Sequence, residues 1–546
     1  MRLTGLRWTG RRRIAARARA LTAPLAVLPL AFALVLLGFP PSTPINRAQG
    51  QQAQPQQTQP QLTQPRQTRP AQKPALDSGQ ETGWGDLLDR LSEVVVTPEQ
   101  ERRIAESEHP KVLAQFGGEY GDPALKSYVT GLVRTLGQAS NRPDIDYRVT
   151  ILNSPIVNAF ALPGGNLYVT RGLLALAGSE AELAGVLAHE IGHVTARHTA
   201  QRYGRSLLAS SAAGLVGLIT DSPAINQAVQ SSSQVWLRSF SREQEFQADE
   251  LGVATMARAG YDPLAMAWFL RHLQQHAELQ AVLAGRLPAE ADAFDLFATH
   301  PRTAERVQRA IEKAGLDGGF GGREERGAYL RRLDGMLYGD DPAQGFVRGR
   351  EFVHPGLRIR FEVPAGFQLL NGAAAVIAAG PGGATIRFDN APERFTGTMR
   401  AYITERWVRT AVLSGIEALS VNGMDGAAAL ARAATGAGPV DVRFVAIRAA
   451  PDIIYRFQFV LPAAATQLWP EFGKVTASFR RLSAEEAAAL GPQRLRLIQA
   501  GISDSFDSMA QRMAAPDRRV ERFRALNGVK PGEQPVMGRL YKIVGE

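Results

Sequence analysis

At 546 residues the chain is several times the usual domain size, which implies two to four domains and allows a sizeable buried core. The formal net charge is +10, but residues 1–48 hold eight arginines and no acidic residue, and outside them 54 basic side chains face 52 acidic ones; this excludes a nucleic-acid footprint on the folded part. There is no cysteine, which excludes disulfides, thiolate metal sites and a lipoprotein anchor and suits an oxidising compartment.

Residues 1–48 read as a targeting segment, because the arginines precede a charge-free apolar run at residues 21–39, the order of an n-region and an h-region. The run is nearly long enough to span a bilayer, although Pro24 and Pro29 interrupt it, so a signal peptide and a retained inner-membrane anchor both stay open. Either way the remainder faces outward, in the periplasm or cell envelope. Residues 49–80 are dominated by Gln and Pro and read as a disordered linker. Folded sequence begins near Trp84, and residues 84–335 look mostly helical around one extended region at residues 147–170.

Ser179 and Glu182 have the spacing of a capping box, and Leu183, Val186, Leu187, Ile191 and Val194 give the following helix a buried face. That helix contains His189-Glu190-Ile191-Gly192-His193. Histidines at i and i+4 project from one helix face, close enough to share a metal, while Glu190 is placed to act on a metal-bound water. A catalytic zinc takes three protein ligands and keeps one position open. Ser241 and Gln244 open a second helix that Gly260 ends, and it carries Glu245 and Asp249 on one face. Glu245 suits the metal, Asp249 a histidine ring N–H. His198, about 140° around the helix from His193, is expected to be structural or on the surface; His109, His272, His276 and His354 lack a ligand-like context. Residues 207–219 are too short to span a bilayer; a cover over the cleft, a membrane-touching segment and a buried helix stay open.

The block Asn158-Ala159-Phe160-Ala161-Leu162-Pro163-Gly164-Gly165-Asn166, the His189 to His193 helix and the block Ser241-Arg242-Glu243-Gln244-Glu245-Phe246-Gln247-Ala248-Asp249 resemble the CAAX prenyl protease, HtpX and BepA superfamily of metallopeptidases. The likeness covers roughly residues 90–315 and is strongest to BepA-type periplasmic members. It implies a gluzincin-like domain with one Zn2+ per chain on His189, His193 and Glu245, Glu190 as base and Asp249 in support. It also implies that the strand Asn158, Ala159, Phe160, Ala161, Leu162 borders the cleft and binds peptide by strand addition, with Pro163-Gly164-Gly165 as a turn. BepA-type proteins carry a His-Pro with a downstream arginine beside the zinc, and here Thr299-His300-Pro301 and Arg306 match it. His300 is then either a gate in the fourth position or a donor to the oxyanion. No tetratricopeptide-like repeat follows, a departure from BepA-type proteins.

Beyond a glycine-rich break at residues 315–322 and a short helical connector, residues 350–482 change character. Leu357, Ile359, Phe361 and Val363 alternate with polar residues, as do Ile453, Tyr455, Phe457, Phe459 and Leu461, while Met399, Tyr402, Ile403 and Trp407 have helical spacing. This is a small α+β domain without a catalytic constellation. Residues 493–546 read as strand, helix, helix, strand and resemble a LysM domain, although Gly501-Ile502-Ser503-Asp504 replaces its usual Gly-Asp-Thr turn; peptidoglycan contact and a plain structural cap both stay open. The expected fold class is α+β multidomain: a mainly helical gluzincin-like metallopeptidase domain with a small sheet, a smaller α+β domain and a short LysM-like module. Two functions remain. One is a zinc endopeptidase acting on unfolded or misassembled envelope proteins, a substrate class implied by the resemblance. The other is a chaperone-like or wall-binding envelope protein with little proteolytic activity. The expected partners are protein or peptide substrates, membrane association stays open, and nucleic acid is not expected.

Overall fold

A computed structural model describes residues 96–206, 239–283, 285, 287–288, 300, 304–317, 321–435, 438–530 and 532–546. The expected leader, the Gln/Pro linker, Trp84, residues 207–219, Thr299 and Pro301 lie outside the described residues. No helix among the described residues is long and apolar enough to cross a membrane.

Helix α1 (Pro98–Gln115) starts on a complete capping box of Thr97 and Gln100, and α2 (Pro123–Ala139) is capped by Asp122. They lead to β1 (Arg148–Leu152), β2 (Ala159–Leu162) and β3 (Asn166–Thr170), a sheet ordered β1-β3-β2 in which β1 runs parallel and β2 antiparallel to β3. The β2–β3 turn holds Gly164 and Gly165 at φ 78° and 90°, a region where a Cβ is penalised. The helices α3 (Arg171–Leu176), α4 (Glu180–Thr195), α5 (Arg242–Arg258), α6 (Leu264–Leu283), α7 (Ala304–Asp317) and α8 (Arg326–Leu333) follow.

The two predicted capping boxes come out differently. Around α5 both halves form, between Ser241 and Gln244. At α4 the Ser179 hydroxyl accepts from Glu182 N, but the Glu182 carboxylate accepts from Gly178 N at 2.8 Å and lies 3.3 Å from His272 Nδ1. Every residue of α4 from Leu183 to Val194 is buried, as a helix enclosed on all sides requires. Its contact with α5 is backbone against backbone: a Cβ on Gly192 would lie 2.8 Å from Ala248 O, and one on Gly252 would lie 3.1 Å from His189 N.

Residues 346–481 build two antiparallel sheets of four and seven strands around buried rings that include Phe361, Phe388, Phe457 and Phe479. The alternating segments are strands Ile359–Glu362 and Ile453–Pro462; the Met399 segment is one α-turn continued by a π-turn, Tyr402–Trp407. This part leaves and returns at one place, since Gly335 N donates to Leu495 O, Leu495 N to Met336 O and Tyr338 N to Gln493 O.

The terminal strands Arg494–Gln499 and Leu540–Gly545 pair antiparallel, with helices Phe506–Ala510 and Arg519–Asn527 between them in sequence. The element order is the expected one, but the packing is not that of a separate module. Leu495, Phe506, Met509, Phe523, Leu526 and Tyr541 share one core with Leu174, Phe269 and Leu330. Lys542, fully buried, donates its Nζ to the carbonyls of Ala175, Leu176 and Ala177 at 2.7, 2.8 and 2.9 Å. The expected boundary at residue 493 is therefore not a boundary in the core.

Candidate metal centre

On α4, the ring centroids of His189 and His193 lie 4.6 Å apart with their Nε2 atoms 3.1 Å apart. Across the glycine-mediated contact, α5 supplies Glu245, with Oε1 3.5 Å from His193 Nε2 and Oε2 3.6 Å from His189 Nε2. His300 Nδ1 completes the group, 2.9 Å from Glu245 Oε1 and 3.3 Å from His189 Nε2. All four residues are buried. Donor atoms at the corners of a tetrahedron with bonds of about 2.0–2.1 Å stand about 3.3 Å apart. The His189 ring nitrogen lies 3.1 Å from that of His193 and 3.3 Å from that of His300, the three rings lie 2.9 to 3.6 Å from one or other Glu245 oxygen, and one donor atom from each residue falls within 4.8 Å of the others; a nitrogen and carboxylate donor set is what an ion of zinc's size and ligand preference takes.

The surrounding residues hold these donors. Asp249 Oδ1 is 2.8 Å from His189 Nδ1. Arg306 donates from Nε and Nη2 to Asp249 at 2.7 and 2.8 Å and places Nη1 2.6 Å from Glu245 Oε2. One guanidinium thus spans both carboxylates of α5. Burial pushes the Glu245 carboxyl up, but His300 and Arg306 outweigh it and hold the group well below the usual carboxylate range. For Asp249, Arg306 likewise overcomes burial and lowers the group. Burial drives His193 well below the ordinary histidine value, which favours the neutral ring a metal needs. Burial also raises the Glu190 carboxyl; its Oε1 lies 3.5 Å from His300 Nε2, and neither atom has a hydrogen-bond partner among the described residues.

The structure therefore gathers His189, Glu190, His193, Glu245, Asp249, His300 and Arg306 at one place. For His198 it decides between the two alternatives, a structural and a surface residue, in favour of the first. Helix α4 ends at Thr195 and Arg197 takes φ 60°, so extrapolating around the helix does not reach this residue. The turn swings the ring back to bury it, with Nδ1 2.9 Å from His193 Nδ1 and Nε2 2.9 Å from Gln247 Oε1. Phe240 also escaped the sequence reading: it stacks on His193 with ring centroids 3.8 Å apart and has the Arg202 guanidinium 3.9 Å from its own centroid. A lone aromatic outside any motif carries no sequence signal for that position. Of the histidines read as lacking a ligand context, His109 bonds Tyr168 and His272 bonds Ala525 O, both away from the cluster.

Strand β2 is an edge strand of its sheet, next to α4. Asn158, Ala159, Phe160, Ala161 and Leu162 are all buried. Ala159 and Ala161 enter the main core, while Phe160 and Leu162 enter a second one with Ala105, Val112 and Phe116. The four β2 side chains are thus committed to packing. An apolar hollow lined by Val186, Met266, Phe269, Leu270 and Leu273 opens against His189, Glu190 and His300.

Comparison with known proteins agrees with this geometry. Residues 123–314 match Peptidase family M48. The chain is 32% identical over 202 residues to the beta-barrel assembly-enhancing protease of Escherichia coli (strain K12), covering 35% of this chain and 39% of that protein. It is 34% identical over 168 residues to the mitochondrial metalloendopeptidase OMA1 of Arabidopsis thaliana, 31% of each chain. With the protein of the same name from Schizosaccharomyces pombe it shares 30% over 219 residues, 39% of this chain and 60% of that one. The chain thus spans about a third to three fifths of the length of these relatives, and the likeness is confined to the part that holds the cluster.

Proposed function

We propose that this M48 chain is a zinc-dependent endopeptidase of the cell envelope that cleaves unfolded or misassembled proteins, with one zinc per chain held by His189, His193 and Glu245. The observation that carries the reading is the buried His189, His193, Glu245 and His300 donor set, one atom from each within 4.8 Å of the others, with the Glu190 carboxylate beside it. The relatives, a protease named for enhancing β-barrel assembly and a mitochondrial metalloendopeptidase, support the reaction and the substrate class. The arginine-rich leader supports the location.

When bound, the metal supplies a Lewis acid that polarises the scissile carbonyl and acidifies water. The rest falls to the chain. Glu190 takes the water proton on its carboxylate and passes it to the leaving amine; burial, by raising its carboxyl, moves it toward the range where both transfers work near neutral pH. Asp249 and Arg306 keep His189 and Glu245 oriented. An extended peptide adds to the outer edge of β2 and seats one apolar side chain in the hollow lined by Val186, Met266 and Phe269. His300, against His189 and Glu245, would compete with water for a bound metal and so hold the site latent until it withdraws.

The deciding experiment is Glu190→Gln. The purified variant should keep its fold and its zinc while cleavage of an unfolded protein such as casein falls at least a thousandfold. Cleavage at the unmodified rate would remove the assignment.

A further inference from the structure

We propose that His198 is the positioning residue that fixes the tautomer and orientation of His193, with Gln247 fixing His198 in turn. The proposal rests on the reading of His193 as a metal ligand. The His193 ring is completely buried and turns Nε2 toward His189 and Glu245, at 3.1 and 3.5 Å. A neutral imidazole that lends its Nε2 lone pair to a metal carries its proton on Nδ1. That N–H faces His198 Nδ1 at 2.9 Å. His198 must therefore accept at Nδ1 and hold its own proton on Nε2, which faces Gln247 Oε1 at 2.9 Å. An amide oxygen can only accept, so Gln247 sets one ring and that ring sets the next.

Both links are tied to the elements that carry the ligands. Gln247 stands two residues from Glu245 on α5. His198 follows the turn after α4, where Arg197 donates to Glu101 Oε1 at 2.7 and 3.1 Å and to Val96 O at 2.5 Å. The two α4 histidines of the cluster are thus supported by different chemistry: His189 by the Asp249 carboxylate, itself clamped by Arg306, and His193 by a neutral ring. Glu190, Glu245 and Asp249 already crowd this buried space around one arginine. A neutral acceptor orients His193 without adding a fourth buried carboxylate, whose desolvation would be costly.

The test is zinc affinity in the full chain, measured by competition with a chromophoric chelator. His198→Leu keeps the volume and removes the acceptor; His198→Asn puts an oxygen where Nδ1 was. Unmodified protein and His198→Asn should bind zinc within about threefold of each other, and folded His198→Leu should bind it about ten- to a hundredfold more weakly. Equal affinity in His198→Leu, or an equal loss in both variants, overturns the proposal. Ring-nitrogen NMR of the zinc-loaded unmodified protein reads the same point without a variant: His198 should carry its proton on Nε2, and a proton on Nδ1 would also overturn it. If the unmodified protein takes up no zinc, the metal assignment itself falls and this proposal falls with it.

Discussion

Glu190 and His300 face each other at 3.5 Å inside a buried cluster, and they answer to opposite demands. In the proposed reaction the carboxylate must reach water, whereas the imidazole would stand in that water's place. If His300 is a gate, His300→Ala should raise the cleavage rate of an unfolded substrate severalfold and increase self-cleavage, as read from a timed gel of the purified chain. A fall on the order of a hundredfold would instead mean that the ring donates to the oxyanion. Unchanged turnover would leave it a packing residue. At this scale the motifs told most of what matters: histidines at i and i+4 and carboxylates at i and i+4 state which faces carry ligands, because helix geometry alone fixes those pairs. His198 was left between a structural and a surface place because its position depends on one left-handed residue, Arg197, and nothing in the identity of an arginine announces positive φ.

Helices α4 and α5 meet through Gly192 and Gly252, which let the His189 to His193 face approach the Glu245 to Asp249 face closely enough for the donors to converge. Gly192→Ala sets a methyl group 2.8 Å from Ala248 O and 3.2 Å from Ala248 Cα. Both are backbone atoms, so the helices must part. The expected cost is about 1–3 kcal/mol in urea unfolding, with weaker zinc binding from the same displacement. Lost stability with zinc affinity intact would show that the helices separate without moving the ligands. The strand and helix positions were largely legible, since capping residues and hydrophobic period are local signals. The fate of the Glu182 side chain was not, because its partner His272 sits ninety positions away.

Across the whole molecule, the terminal segment is welded to the helical part. Lys542 caps the three carbonyls that end α3, just before the turn into α4, and burial together with the nearby Arg326 holds its amine well below the usual lysine range. Lys542→Ala leaves those buried acceptors without their donor and should cost about 2–4 kcal/mol; deleting residues 493–546 should leave the metal-binding part unable to fold, as seen by circular dichroism. A stable, zinc-binding truncation would contradict the shared core. A second global prediction lies at the junction with the inserted sheets. Burial lifts the Asp340 carboxyl from 3.8 to about 6, so between those values the folded chain keeps a proton that the unfolded chain has released. Stability should then fall by about 1–3 kcal/mol as pH rises from about 4 to about 6. Comparing urea midpoints across that range, Asp340→Asn should flatten this part of the profile; an identical profile would mean that the site is wetter than its burial implies.

The sequence by itself pointed to the ligand types, the helices that bear them and the strand-helix-helix-strand order of the last segment, because each follows from spacing over a few residues; that β2 is an edge strand came from the sheet order. The place of His300 and Arg306 at the cluster was expected only through the family resemblance; tertiary structure alone decided that His198 stands behind His193, that the β2 side chains are spent on packing, and that the terminal segment shares the core of the helical part. Each of these depends on contacts between residues far apart in the chain or on a single backbone turn. Such contacts are settled by where buried surface and buried charge find partners, and no local pattern of residues encodes that outcome.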